Sequence, residues 1–138
     1  MDVQFVAGFG PIVTDDAASQ AFYREGLGIA LDEPSPGYLD THSLGGVKVF
    51  ALWRLADAAA STFGTAEWPN HLPVPQAWLE FELASPEAVA AGEQELRDAG
   101  HEILTPSHVE PWGQTTARLL SPEGMLVGLS YFAQLHEH

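Results

Sequence analysis

The chain has 138 residues, 46% of them hydrophobic and 17% charged, which is enough for one domain with a sizeable core and too apolar for a disordered chain. It contains no Cys, which excludes disulfides, thiolate nucleophiles and Cys-based zinc sites. Five basic residues against 19 acidic ones leave a formal charge of −14, a field that repels nucleic acid and anionic membranes and favours a cationic ligand. Acidic surfaces also serve solubility alone. No basic segment followed by an apolar one opens the chain, and no apolar run is long enough to span a bilayer, so the expectation is a soluble, cytoplasmic protein.

Residues 3–13 read as a strand in which Phe9, Pro11 and Val13 face one way and Gly8, Gly10 and Ile12 the other. Glycines in a strand mark a bulge or the close approach of a ligand. Thr14-Asp15-Asp16 supplies an N-cap for a helix over residues 17–26, stopped by Gly26 and Gly28. Strands at about 29–33, 38–43 and 46–54 follow, divided by Pro34-Ser35-Pro36-Gly37 and Gly45-Gly46. Residues 55–76 form a connector with a helical turn at 55–62, its second half broken by Pro69, Pro73 and Pro75.

A second unit begins at Ala77. Residues 78–83 read as a strand, and Ser85-Pro86-Glu87 opens a helix that runs to about Ala99, with Gly100 as its stop. Strands near 102–105, 115–120 and 125–132 follow. A Pro111-Trp112-Gly113 loop precedes the second of them, and a Ser121-Pro122-Glu123-Gly124 turn, with Pro second and Gly fourth, joins the last two. The fold class is therefore α+β, a βαβββ pattern used twice in one domain. Module one covers about 1–54, the connector 55–76 and module two 77–132, with a polar tail at 133–138 that is expected to fray.

The Trp-Gly loop, strand, Ser-Pro-Glu-Gly turn and closing strand, together with Ala21-Phe22-Tyr23-Arg24-Glu25-Gly26-Leu27-Gly28-Ile29, resemble the vicinal oxygen chelate superfamily. That superfamily holds glyoxalase I, ring-cleaving dioxygenases and bleomycin-resistance proteins. Its members often carry Asp and Asn where this chain has Ser121 and Met125. The resemblance implies an incompletely closed eight-stranded barrel around a cavity, with the helices outside, and a homodimer with clefts between subunits. In metal-dependent relatives four ligands lie on the first and last strands of the two units. Those positions fall here at Gly8, near Phe50, at Trp78 and at Gly128, none of which can bind a metal, so no metal and no other cofactor is expected.

The sequence holds no Gly-x-Ser-x-Gly, no His-Glu-x-x-His and no phosphate-cradling Gly loop. If Trp78 faces the cavity, alternation puts Glu80 and Glu82 beside it. Glu80 is the one weak candidate for a general base; otherwise it is solvated or pairs with Lys48 or Arg118. Phe50 and Trp78 are expected to face inward, Trp112 to lie over the mouth beside Gln114, and Trp68 and His71 to lie in the connector, while Trp53 points to the helices. The expected ligand-binding set is Phe50, Trp78, Glu80, Glu82, Trp112, Gln114, Arg118, Trp68 and Lys48. Flat side chains beside carboxylates suit a planar or cationic small molecule. The expected function is metal-independent binding and sequestration of such a compound, of the antibiotic-resistance type, with no nucleic acid or membrane partner. The alternative is a lyase, isomerase or dioxygenase of the glyoxalase type. It would use Glu80 as base, or relocated metal ligands drawn from Glu80, Glu82, His42, His71, His101 and His108.

Overall fold

The computed structural model describes residues 1–136. Strand β1 (Phe5–Val13) leads into helix α1 (Asp16–Gln20), which widens to a π-type turn over Ala21–Gly26. The side chain of Asp15 caps α1 by accepting from the Ala18 amide at 3.0 Å. Then come β2 (Asp32–Ser35), β3 (Tyr38–Thr41), β4 (Val49–Arg54), α2 (Leu55–Phe63), β5 (Ala77–Glu82), α3 (Pro86–Asp98), β6 (Thr105–Val109), β7 (Thr115–Leu120), β8 (Leu126–Tyr131) and a 3-10 turn at Ala133–His136. No helix among the described residues is long and apolar enough to cross a membrane.

All eight strands form one sheet in the order β2-β3-β4-β1-β5-β8-β7-β6, which hydrogen bonds do not close into a complete barrel. The order is symmetric about the β1–β5 seam. β1 pairs parallel with β4, β5 pairs parallel with β8, and β1 and β5 run antiparallel. A twofold through that seam thus exchanges the two βαβββ units. On the outer face Tyr23 packs on Val13, Leu39, Phe50 and Leu52, while Val89 of α3 packs on Leu83, Ala117 and Leu129.

Four elements differ from the sequence expectation. The strand expected at about 29–33 lies at Asp32–Ser35 and takes in Pro34 and Ser35, which an edge position tolerates. The connector turn is a full helix, because its Ala-rich run favours one and Ala58, Ala59 and Thr62 are buried. This helix does not lie outside: Ala58 packs on Trp78, Ile12 and Ala51, and Asp57, Ala60 and Ser61 help to wall the cleft described below. The strand expected at 102–105 lies at Thr105–Val109, where an edge position tolerates Pro106. The tail does not simply fray. His136 meets the fully buried Glu82 at 2.8 Å and packs its ring near Phe5 and Tyr131, which fixes the turn at Ala133–His136. The last two tail positions lie outside the described residues.

Ser85 opens α3 by accepting from the Ala88 amide at 3.1 Å, with Pro86 in the first turn. Ser85→Ala should lower stability by about 1 kcal/mol. Urea unfolding should show this as an earlier midpoint with an unchanged slope.

Candidate functional site

The inner face of the sheet lines a cleft of about 1180 Å³. Its centre is a row of four residues in register. Gly8 of β1 lies opposite Val49 of β4 and Glu80 of β5, and Glu80 lies opposite Gly128 of β8. Next to that row the indole of Trp78 lies across β1. A Cβ on Gly8 would sit 2.5 Å from its ring, and its Nε1–H donates to the Ala51 carbonyl at 3.2 Å. The glycines of β1 therefore admit a close approach, but what approaches is Trp78 rather than a ligand.

The second unit supplies a buried charge network. Arg118, only 1% exposed, donates from Nη2 to Glu80 Oε1 at 3.2 Å, and from Nη1 to Glu110 Oε1 at 2.6 Å and Ser61 Oγ at 2.8 Å. Its guanidinium lies 5.2 Å from the ring centre of Trp53. Gln114 extends the chain: its Nε2 donates to Glu80 Oε2 at 2.9 Å, and its Oε1 accepts from the Trp112 indole at 2.8 Å. Glu110 Oε1 also accepts from Thr116 and Ser61 and lies 3.2 Å from His108 Nε2. Burial alone would push the Glu110 carboxyl up. The hydrogen bonds and charge of Arg118, with the two hydroxyls, outweigh burial and hold it below the ordinary carboxylate range.

Trp112 owes its place to the turn at Glu110-Pro111-Trp112-Gly113. The Gly113 amide donates to the Glu110 carbonyl at 2.9 Å, Pro111 holds the second position, and Gly113 takes a φ of 93° that other residues resist. The indole stands 51% exposed at the mouth. The β2–β3 hairpin and α2 also line the cleft and bring Asp32, Glu33, Asp40 and Asp57 to it. Burial, together with the charges of Asp40 and Glu80, pushes the Tyr38 phenol well above its ordinary range, so it presents a neutral hydroxyl. Burial also raises the Asp40 carboxyl, against the pull of His42 at 3.3 Å.

Of the expected ligand-binding set, Trp78, Glu80, Trp112, Gln114 and Arg118 come together at the cleft. Four others do not. Phe50 lies on the outer face against Tyr23, because the pairing of Gly8 with Val49 sets the opposite phase of β4. The same phase brings Trp53 into the cleft instead of towards the helices. Glu82 is sealed under the C-terminal turn by Ser130, the Phe132 amide and His136. Trp68 packs edge-on against Phe63 and donates to the Pro73 carbonyl, while Lys48 lies over Phe5 beside a shallow outer depression. Sequence reasoning missed Glu110, whose position as the first residue of the Pro-Trp-Gly turn was the available signal.

The residues do not suit a divalent ion. In the central row only Glu80 carries a donor, and both its oxygens already accept from Arg118 and Gln114. The ligand positions transferred by motif to Trp78 and Phe50 are each displaced: Glu80, not Trp78, stands opposite Gly8, and Val49, not Phe50, faces the cleft. Among the described residues no three His, Asp or Glu side chains are grouped to hold a metal.

This fold is the one shared by solved members of the glyoxalase/bleomycin resistance/dioxygenase superfamily. A superfamily member from Vibrio splendidus 12B01 superposes with a TM-score of 0.62 at 15% identity, over 95% of this chain and 100% of that one. The methylmalonyl-CoA epimerase of Streptomyces coelicolor (Q60A) gives 0.58 at 20% identity over 96% and 99%. The Mn(II)-bound glyoxalase of Novosphingobium aromaticivorans gives 0.55 at 18% identity, over 94% of this chain and 38% of that one. No protein-family model matches the sequence, and neither does any curated protein.

Proposed function

We propose that the protein binds and sequesters a small planar, basic compound in this cleft, without a metal. The observation that carries the reading is the make-up of the walls. Trp53, Trp78 and Trp112 supply flat surface, and six carboxylates face the space with a single guanidinium among them. An apolar cleft with a few placed polar groups is the usual form of a small-molecule site. An excess of carboxylates over aromatic walls selects a cation. The same reading carries a homodimer, in which a second copy shields the mouth where Trp112 stands half exposed. Glu80 is poorly placed to act as a base, since a substrate proton would have to displace Arg118 or Gln114 from its oxygens. Sequestration needs affinity alone, and nothing in the cleft has to favour a transition state.

Titration with proflavine, a planar cation, tests this by calorimetry and by quenching of tryptophan fluorescence. Saturable binding is expected, weakened about tenfold in Trp112→Ala. Proflavine that neither quenches nor releases heat at any attainable concentration would overturn the reading.

A further inference from the structure

The buried network shares one guanidinium between two carboxylates. Arg118 meets both Glu80 and Glu110, and His108 Nε2, 3.2 Å from Glu110, adds a positive charge only when protonated. With His108 neutral the formal sum is negative, and a buried charge of that kind calls for a counter-charge within contact distance. The two carboxylates are not equivalent. Glu80 has both oxygens occupied, by Arg118 and Gln114. Among the described residues every bond to Glu110 goes to Oε1: Ser61, Thr116, Arg118 and His108 all converge on that one atom. Among the described residues Glu110 Oε2 has no hydrogen-bond partner, and unlike Thr62 Oγ1 it is not fully sealed from solvent. Its side chain is 3% exposed and belongs to the cleft wall, so the residual opening of Oε2 is onto the cleft.

Resting on the binding reading above, we infer that Glu110 Oε2 is the seat for the ligand's cationic N–H group. The ligand class follows: a protonated amidine, guanidine or amine carried at one end of a planar ring. The ring lies against Trp112, two residues on in the same turn, and the N–H group completes the charge of the network from the cleft side. The carboxylates at the mouth steer such a cation by their field, whereas Glu110 holds it by a directed bond. Three donors, Ser61, Thr116 and Arg118, pin one oxygen and orient the other, so the seat is formed before the ligand arrives.

The test compares naphthamidinium with naphthamide, which have nearly the same shape and differ in charge, by calorimetry. On the unaltered protein naphthamidinium should bind at least about tenfold more tightly, the usual scale of one charge-assisted hydrogen bond. Glu110→Gln, checked for folding by circular dichroism, should remove that preference and leave naphthamide affinity in place. Equal affinities in the unaltered protein, or a preference that survives in folded Glu110→Gln, would overturn the inference while the aromatic cleft still stands as a binding site. Binding of neither compound would overturn both. Should the variant not fold, a crystal structure of the unaltered protein with naphthamidinium decides: an amidinium within hydrogen-bond reach of Glu110 supports the seat, and one lodged at Asp32 or Asp57 refutes it.

Discussion

Arg118→Met should destabilise the protein by about 3–5 kcal/mol, because it leaves Glu80 and Glu110 buried without the guanidinium they share. The pH dependence should separate this cause from a simple packing loss. In the native protein Glu110 titrates below its ordinary value of 4.5. Its contribution to stability is therefore present above that value and is lost as pH falls through the lower folded value. In Arg118→Met the sign reverses. Two carboxylates without a guanidinium bind protons more readily folded than unfolded, so stability should rise as pH is lowered from 7 towards 5. Urea unfolding at several pH values would show it. A variant that loses stability in parallel with the native protein at every pH would mean that Arg118 acts only by filling space. Cutting Arg118 back to Met keeps most of its aliphatic length, which keeps the packing loss small.

The second large effect is expected at Gly10. A Cβ there would lie 1.9 Å from the Ala51 carbonyl oxygen and 3.0 Å from Trp78 Nε1, inside the hydrogen bond that joins those two groups. Backbone on one side and a buried indole on the other leave nothing that can give. Gly10→Ala should cost about 3 kcal/mol and shift the Trp78 emission to the red as its ring is pushed off β1. Gly45→Ala is the control: a Cβ at that position meets nothing within 4 Å. Its effect should stay within about 0.5 kcal/mol. A mild Gly10→Ala variant with unshifted emission would show that β1 and β4 can part without disturbing Trp78.

These two sites also show how far the sequence could be read. The glycines of β1 announced a bulge or a close approach, and the strand has both: its register with β5 shifts between Val6 and Gly8, and a ring lies against Gly8. They did not say what approaches, because the Trp78 ring arrives from a strand about 70 residues further along the chain. The Ser-Pro-Glu-Gly turn was legible for a local reason: Pro second and Gly fourth fix a hairpin turn without help from the rest of the fold. The Ser-Pro-Glu-Gly turn closes as expected, with the Gly124 amide on the Ser121 carbonyl at 2.9 Å, and the stretch expected as a Pro-Trp-Gly loop closes in the same way from Glu110. The phase of β4 was not legible. Val49, Phe50, Ala51, Leu52 and Trp53 are apolar without a break, so alternation has nothing to alternate with. The pairing of Gly8 with Val49, a contact distant in sequence, decides that Trp53 rather than Phe50 faces the cleft. Glu110 was hidden for a similar reason. In sequence it is an acidic residue before a proline, and only the folded hairpin brings Arg118, Ser61 and Thr116 onto one of its oxygens.

The twofold that relates the halves is topological, and the halves divide the work unequally. Glu80, Glu110, Gln114 and Arg118 all come from the second, while the first contributes bare backbone at Gly8 and Gly10, one indole, and the hairpin at the mouth. Invention and conservation are thereby housed in different places. Pro34, Ser35 and Pro36 of the hairpin line the cleft, and changes there alter the outline a ligand must fit while leaving the ionic arrangement of the second half in place, whereas Gly37 is held by its φ of 80° and by Arg54. A lineage of such proteins would diversify its ligands from one end of the gene and keep its architecture from the other.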